Sequence, residues 1–163
     1  MEIRFKKITT PEEAEVFWKK LREYHHADLF PHMTQEEADY FASDEYYDAI
    51  MDLNRNSSGI GRPLEFVFFY DGDENYLGFT MYKIYTEEDG KAITLEFCID
   101  KPFRNRGVGS LVSHELEKLL ESEGATYFTL NSSNADNRRF WQRNGYLEHE
   151  PDEWGEMVYI KGK

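Results

Sequence analysis

The stretch from Ala92 to Glu121, "AITLEFCIDKPFRNRGVGSLVSHELEKLLE", constrains the fold more than any other part of this 163-residue chain. Its first residues carry the β-branched and aromatic side chains of a strand. Pro102 then removes a backbone donor and ends the ladder. The chain turns through Arg104-Asn105-Arg106-Gly107-Val108-Gly109-Ser110. From Val108 onward, Leu111, Val112, Leu116, Leu119 and Leu120 recur at the spacing of an amphipathic helix, which Gly124 ends.

Further strand-like runs lie at "EIRFKKI" (2–8), "LEFVFFY" (64–70), "YLGFTMYKIY" (76–85), "ATYFTL" (125–130) and "GEMVYIK" (155–161). Asp71-Gly72-Asp73-Glu74-Asn75 and Glu87-Glu88-Asp89-Gly90 carry hairpin chemistry, so the middle strands form an antiparallel meander. Helical patterns cover 9–24, where Thr10 caps and Pro11 takes the first position, 34–53 as one helix, and 134–144. The order predicts one mixed α/β domain over residues 1–163, without repeats or linkers.

Hydrophobic residues make up 40% of the chain and include 12 Phe and 11 Tyr, enough for a continuous core. The formal charge of -13 repels nucleic-acid phosphates and anionic membranes, which speaks against both as partners. It favours cationic substrates; the same surface also serves solubility alone. The single cysteine, Cys98, excludes an intrachain disulfide and a cysteine-cluster metal site, and its apolar strand reads as core. "MEIRFKKITT" has no apolar run behind its charges, so the cytoplasm is the default compartment.

The turn at Arg104 has its own chemistry. Free amides at a helix start, glycines that admit close approach and added arginine charge suit a phosphate or pyrophosphate. A Walker loop needs Gly-Lys-Ser/Thr at a different spacing, and a dinucleotide loop needs glycine where Val112 stands. The pattern Arg104-x-x-Gly107-x-Gly109, after a strand and before a helix, instead resembles the acyl-CoA loop of the GNAT superfamily of N-acyltransferases. The resemblance runs from "EIRFKKIT" through Gly78 in "YLGFTMYKIY" to "NSSNADNRRFWQRNGYLEHE", which is similar to the family's second landmark.

That resemblance implies a mostly antiparallel, twisted sheet of about six to seven strands, splayed between the fourth and fifth and flanked by about four helices. It implies acetyl-CoA as donor and a primary amine of a small molecule or peptide as acceptor, joined by direct attack in a ternary complex. Backbone of Phe97, Cys98 and Ile99 would face the pantetheine arm or the thioester carbonyl. Arg104, Arg106, Gly107, Val108, Gly109 and Ser110 would hold the pyrophosphate, and Asn134, Asn137 and Trp141 would line the pantetheine side. Glu96 resembles the family's strand-four glutamate and is the candidate base; a cleft carboxylate that only attracts a cation is the alternative. Strand alternation puts Glu96 and Cys98 on one face and Phe97 and Ile99 on the other, unless a bulge intervenes.

One departure stands out. Many relatives place a tyrosine acid four residues before the helix-ending glycine, where this chain has Trp141, and indole is no acid near neutral pH. Water or Ser133 could replace it, and an acyl-CoA-binding module with little catalysis is the second reading. A fold that has lost the cofactor is a third, opposed by the intact Arg104, Gly107 and Gly109. Homodimers are frequent in the family.

Other clusters carry less. His25, His26 and His32 in "YHHADLFPH" lack the i, i+4 spacing of helical metal ligands and fall where the family covers its acceptor pocket; they touch substrate or cap carbonyls. His114 reads as a surface or packing residue. "SDEYYDAIMD" suits either an acidic, aromatic wall for an ammonium group or a solvated helix face. Trp154 either shapes the pocket or packs the last strands.

Overall fold

The computed structural model describes residues 1–132 and 134–163. The chain opens with β1 (Ile3–Lys7) and α1 (Pro11–Tyr24), which runs on into a π-helical turn (His25–Leu29) and a 3-10 turn (Phe30–His32). Next come α2 (Gln35–Phe41), α3 (Asp44–Arg55) and the meander β2 (Glu65–Asp71), β3 (Tyr76–Tyr85) and β4 (Lys91–Ile99). The rest is α4 (Val108–Ser122), β5 (Tyr127–Asn131), α5 (Ala135–Arg143), β6 (Leu147–Pro151) and β7 (Met157–Lys161).

The strands form one sheet in the order β1-β2-β3-β4-β5-β7-β6. Every neighbouring pair is antiparallel except β4 with β5. That pairing is brief: Lys91, Ala92 and Ile93 face Tyr127, Phe128 and Thr129, and from Thr94 onward β4 has no β5 partner among the described residues. Close to the opening, Met81 pairs with Glu96 but Tyr82 with Thr94, leaving Leu95 as an extra residue in β4. Such a bulge bends its strand and raises its twist, which helps carry β4 away from β5. The sheet is therefore mostly antiparallel and splayed between its fourth and fifth strands, as the resemblance implied.

Two layers of helices cover the sheet, and β2 shows why. Its alternate side chains Phe66 and Phe68 join Phe17, Trp18 and Leu21 of α1 and Tyr46 and Ile50 of α3 on one face. Val67 packs on the other face with Leu116 and Leu120 of α4 and Trp141 of α5, and Phe69 packs with Val108 and Val112 of α4. A strand buried on both sides reads as a continuous apolar run.

Two expectations need correction. The single helix over 34–53 is two helices, because the Ser43 side chain accepts from the Tyr46 amide and caps a new start. A capping serine competes for the backbone hydrogen bonds that would otherwise continue the first helix. The described residues thus hold five α-helices rather than four. β6 also escapes the six apolar runs: it is an edge strand exposed along its whole length, so its sequence carries no inward-facing alternation. Among the described residues no helix is long and apolar enough to cross a membrane.

Candidate functional site

The splay opens a cleft of about 910 Å³. Its walls include Glu96, Phe97, Cys98 and Ile99 of β4, Arg104, Gly107, Gly109 and Ser110 of the following turn, and Asn134, Asn137 and Trp141 of the α5 region. The far wall is made by Tyr24, Asp28, His32, Phe41 and Tyr46, from the segment between β1 and β2. Two predicted site residues stay outside this wall. Arg106 is exposed, and the Val108 side chain is buried against Phe69, Leu77 and Val112, so only its backbone is available to a ligand.

The start of α4 is built for an anion. Gly107 is the N-cap at φ 78, a left-handed conformation that disfavours side chains, and no described side chain caps the helix. The first-turn amides therefore keep their donors, at the positive end of the helix dipole. A Cβ on Gly107 would meet nothing within 4 Å, so the space before these amides is open. Gly109 answers a different need: a Cβ there would come within 2.9 Å of the Phe140 ring, which packs α5 against α4. Further in, the buried Ser132 hydroxyl has no hydrogen-bond partner among the described residues.

Arg104 does not face this helix start. Its Nε donates to the Ile99 carbonyl at 2.6 Å, and its two terminal nitrogens hold the Asp28 carboxylate at 3.2 and 2.9 Å. The arginine thus ties the turn to the π-helical segment. Asp28 holds the guanidinium pKa above its ordinary value.

Glu96 lies on the face expected for it. Its Oε1 is 2.9 Å from Nε2 of His25, with the two side chains 9% and 2% exposed. Cys98 shares that face, packing with Phe17 and Phe79, while Phe97 turns to Phe140 and Trp141 on the other. Burial pushes the Cys98 thiol up to about 12, against the lowering pull of Arg104. Burial first and the Glu96 charge second also raise the Tyr24 and Tyr46 phenols, so both remain protonated near the carboxylate.

At α5, the Asn134 side chain accepts from the Asn137 amide at 2.8 Å and caps the helix while lining the cleft. Trp141 is 8% exposed and packs edge-on against Phe97 at 5.1 Å and Tyr146 at 5.2 Å. It is cleft floor, not acid. Ser133, the suggested substitute, lies outside the described residues.

The residues that sequence reasoning missed are the partners, His25 and Asp28. They lie 71 and 76 positions from Glu96 and Arg104, too far for any local pattern. No sequence signal marked them; the structure does, because α1 runs on into a π-helical turn at "HHADL" and such turns recur at functional sites. The three histidines separate: His25 meets Glu96, His26 packs on Phe30 at 4.7 Å, and His32 is exposed at the cleft edge. The acidic-aromatic run splits too, with Tyr46 in the cleft and Tyr47 on the Trp18 ring at 4.7 Å. Trp154 is 81% exposed in the β6–β7 connection. A second, more open hollow of about 1330 Å³ lies between α1 and α3 and holds none of the predicted site residues.

Residues 18–146 match the model of the acetyltransferase (GNAT) family. No curated protein matches the chain significantly. Among solved structures, the PaiA N-acetyltransferase of Thermoplasma acidophilum, in complex with coenzyme A, is 17% identical over 100% of both chains with a TM-score of 0.66. The Bacillus subtilis protein YycN is 14% identical, covering 92% of this chain and 95% of its own, at TM-score 0.70. Ard1 from Thermoplasma volcanium is 19% identical over 98% and 95%, at 0.58. Identities this low speak for the fold alone, but the matched span takes in the open β4 edge, the α4 start and the cleft residues from Tyr24 to Trp141: the chain belongs to the GNAT acetyltransferase family, whose chemistry is acyl transfer.

Proposed function

We propose that this chain is an N-acetyltransferase that moves an acetyl group from acetyl-CoA to a primary amine of a small molecule or peptide, by direct attack in a ternary complex. The observation that carries this reading is one cleft in which a strand edge and a helix start, unpaired and uncapped among the described residues, meet a buried carboxylate.

The donor substrate supplies a thioester carbonyl already activated toward amines. Amides of Gly107, Val108, Gly109 and Ser110 hold its pyrophosphate, with Asn134, Asn137 and Trp141 along the arm. The pantetheine arm takes the place of the missing strand along the backbone of Phe97, Cys98 and Ile99, which is freed from β5 and supplies donors to the oxyanion. Glu96 receives the proton that the amine loses. With its pKa near 12 and its side chain 8% exposed, Cys98 forms no acyl-enzyme, which favours direct attack. The thiolate leaves without help from Trp141; thiols titrate at about 8.5, so its departure is tolerable unaided.

The test is a calorimetric titration with acetyl-CoA, with adenosine as the control that lacks phosphates, followed by thiol release across an amine panel. Saturable binding that needs the phosphates and amine-dependent release support the enzyme. Tight binding without release would favour an acyl-CoA-binding module, the reading that Trp141 keeps open. A folded protein that binds no acetyl-CoA would overturn both.

A further inference from the structure

The surroundings of His25 point to a role for the partner of Glu96, and that role rests on the reading of Glu96 as base. His25 does not line the cleft; it stands behind the carboxylate. Rings of Tyr24, Phe30, Phe41 and Tyr46 surround its imidazole, with centroids 6.0, 5.7, 5.7 and 6.0 Å away. Inside such a cage a carboxylate without a donor would be costly, and an imidazole N–H is a donor of the right reach. The backbone that presents His25 is itself pinned, because Asp28 on the same π-helical turn holds Arg104 bidentately. One short segment therefore fixes the orientation of the base and contacts the loop beside the anion site.

We propose that His25 is a positioning residue for Glu96: it donates from Nε2 to the carboxylate, and the two share one proton in the state that accepts a proton from the amine. In the step itself, the amine lone pair forms the C–N bond and the carbonyl π pair moves to oxygen. The N–H bond breaks with its proton going to a Glu96 oxygen. On collapse the C–S bond breaks and the thiolate departs with its electron pair. Without the Nε2 donor the carboxylate would lose the contact that fixes its orientation toward the amine.

The other groups facing the pair keep their charge states. Tyr24 and Tyr46 stay neutral, Cys98 holds its proton, and Arg104 and Asp28 offset each other. His114, exposed on α4 and outside the cleft lining, is the control.

Two measurements test the pair. In 15N-histidine NMR of the whole protein, His25 should show the Nε2–H tautomer. Glu96→Gln should move the His25 Nε2 resonance, since the carboxylate is its acceptor. The Nδ1–H tautomer, or an unmoved Nε2 resonance, would overturn the inference even if His25 variants fail to fold. In thiol release with acetyl-CoA and propylamine, His25→Gln keeps a donor but cannot take a charge. It should lower kcat about tenfold and leave KM for acetyl-CoA unchanged, whereas His114→Gln should follow the wild type. A His25→Gln profile superimposable on the wild type would sink the inference. Wild-type turnover in Glu96→Gln would instead sink the base itself, and the NMR answer would stand apart from it.

Discussion

At the scale of single residues, position in the cleft decides chemistry. Cys98 lines the site beside the guanidinium of Arg104, a setting that would ordinarily activate a thiol, yet burial outweighs the cation. Native protein at pH 8 should therefore resist alkylation at Cys98, mass spectrometry after mixing with acetyl-CoA should find no acetylated Cys98, and Cys98→Ala should retain most of its turnover. Gly107 makes a sharper test of the anion site. Any side chain at φ 78 costs roughly 1–2 kcal/mol in backbone strain, but the new Cβ meets nothing. Gly107→Glu should stay folded by circular dichroism and lose acetyl-CoA affinity in calorimetry, its carboxylate competing for the α4 amides. The Arg104, Gly107 and Gly109 pattern was legible in the sequence because the turn's geometry is local. The direction of the Arg104 side chain was not, because Asp28 reaches it from a distant element.

Secondary-structure elements bring distant sequence to the site, and their ends matter most. Ser43 caps α3 through the Tyr46 amide, and Tyr46 forms part of the cleft wall beside Glu96. Ser43→Ala should cost about 1 kcal/mol, typical for a lost cap. For a chain of this size that is a fall of about 2–4 °C in Tm, readable by thermal unfolding. The same cap explains why the helical pattern over 34–53 looked continuous: a serine in a polar stretch has the composition of an exposed helix face, and only its capping geometry shows the break. The run-on of α1 into a π-helical turn was equally hidden, since no residue in "HHADL" forbids a plain helix.

For the whole molecule, the sheet opening and the net charge set access. The formal charge of -13 attracts cations to the molecule as a whole, and salt dependence tells whether that attraction reaches the cleft. KM for a cationic amine should rise with added salt while KM for a neutral amine stays flat, a comparison made at ionic strengths spanning the Debye screening of about 10 Å at 0.1 M. A salt-independent KM for both would assign the charge to solubility.

Local physics sufficed for much of this: apolar alternation marked six of the strands, hairpin residues set the meander, and two glycines before an amphipathic run announced an uncapped helix start. Those signals depend on near neighbours, so the sequence by itself determined them. The tertiary structure alone decided which groups meet. Alternation correctly put Glu96 and Cys98 together, but the bulge at Leu95 breaks strict alternation between Ala92, which packs with α4, and Cys98, which packs with α1. The pairing of Glu96 with His25 and of Arg104 with Asp28 required β4 to leave β5 and α1 to end in a π-helical turn. Both depend on contacts between segments far apart in the chain, which no local pattern encodes.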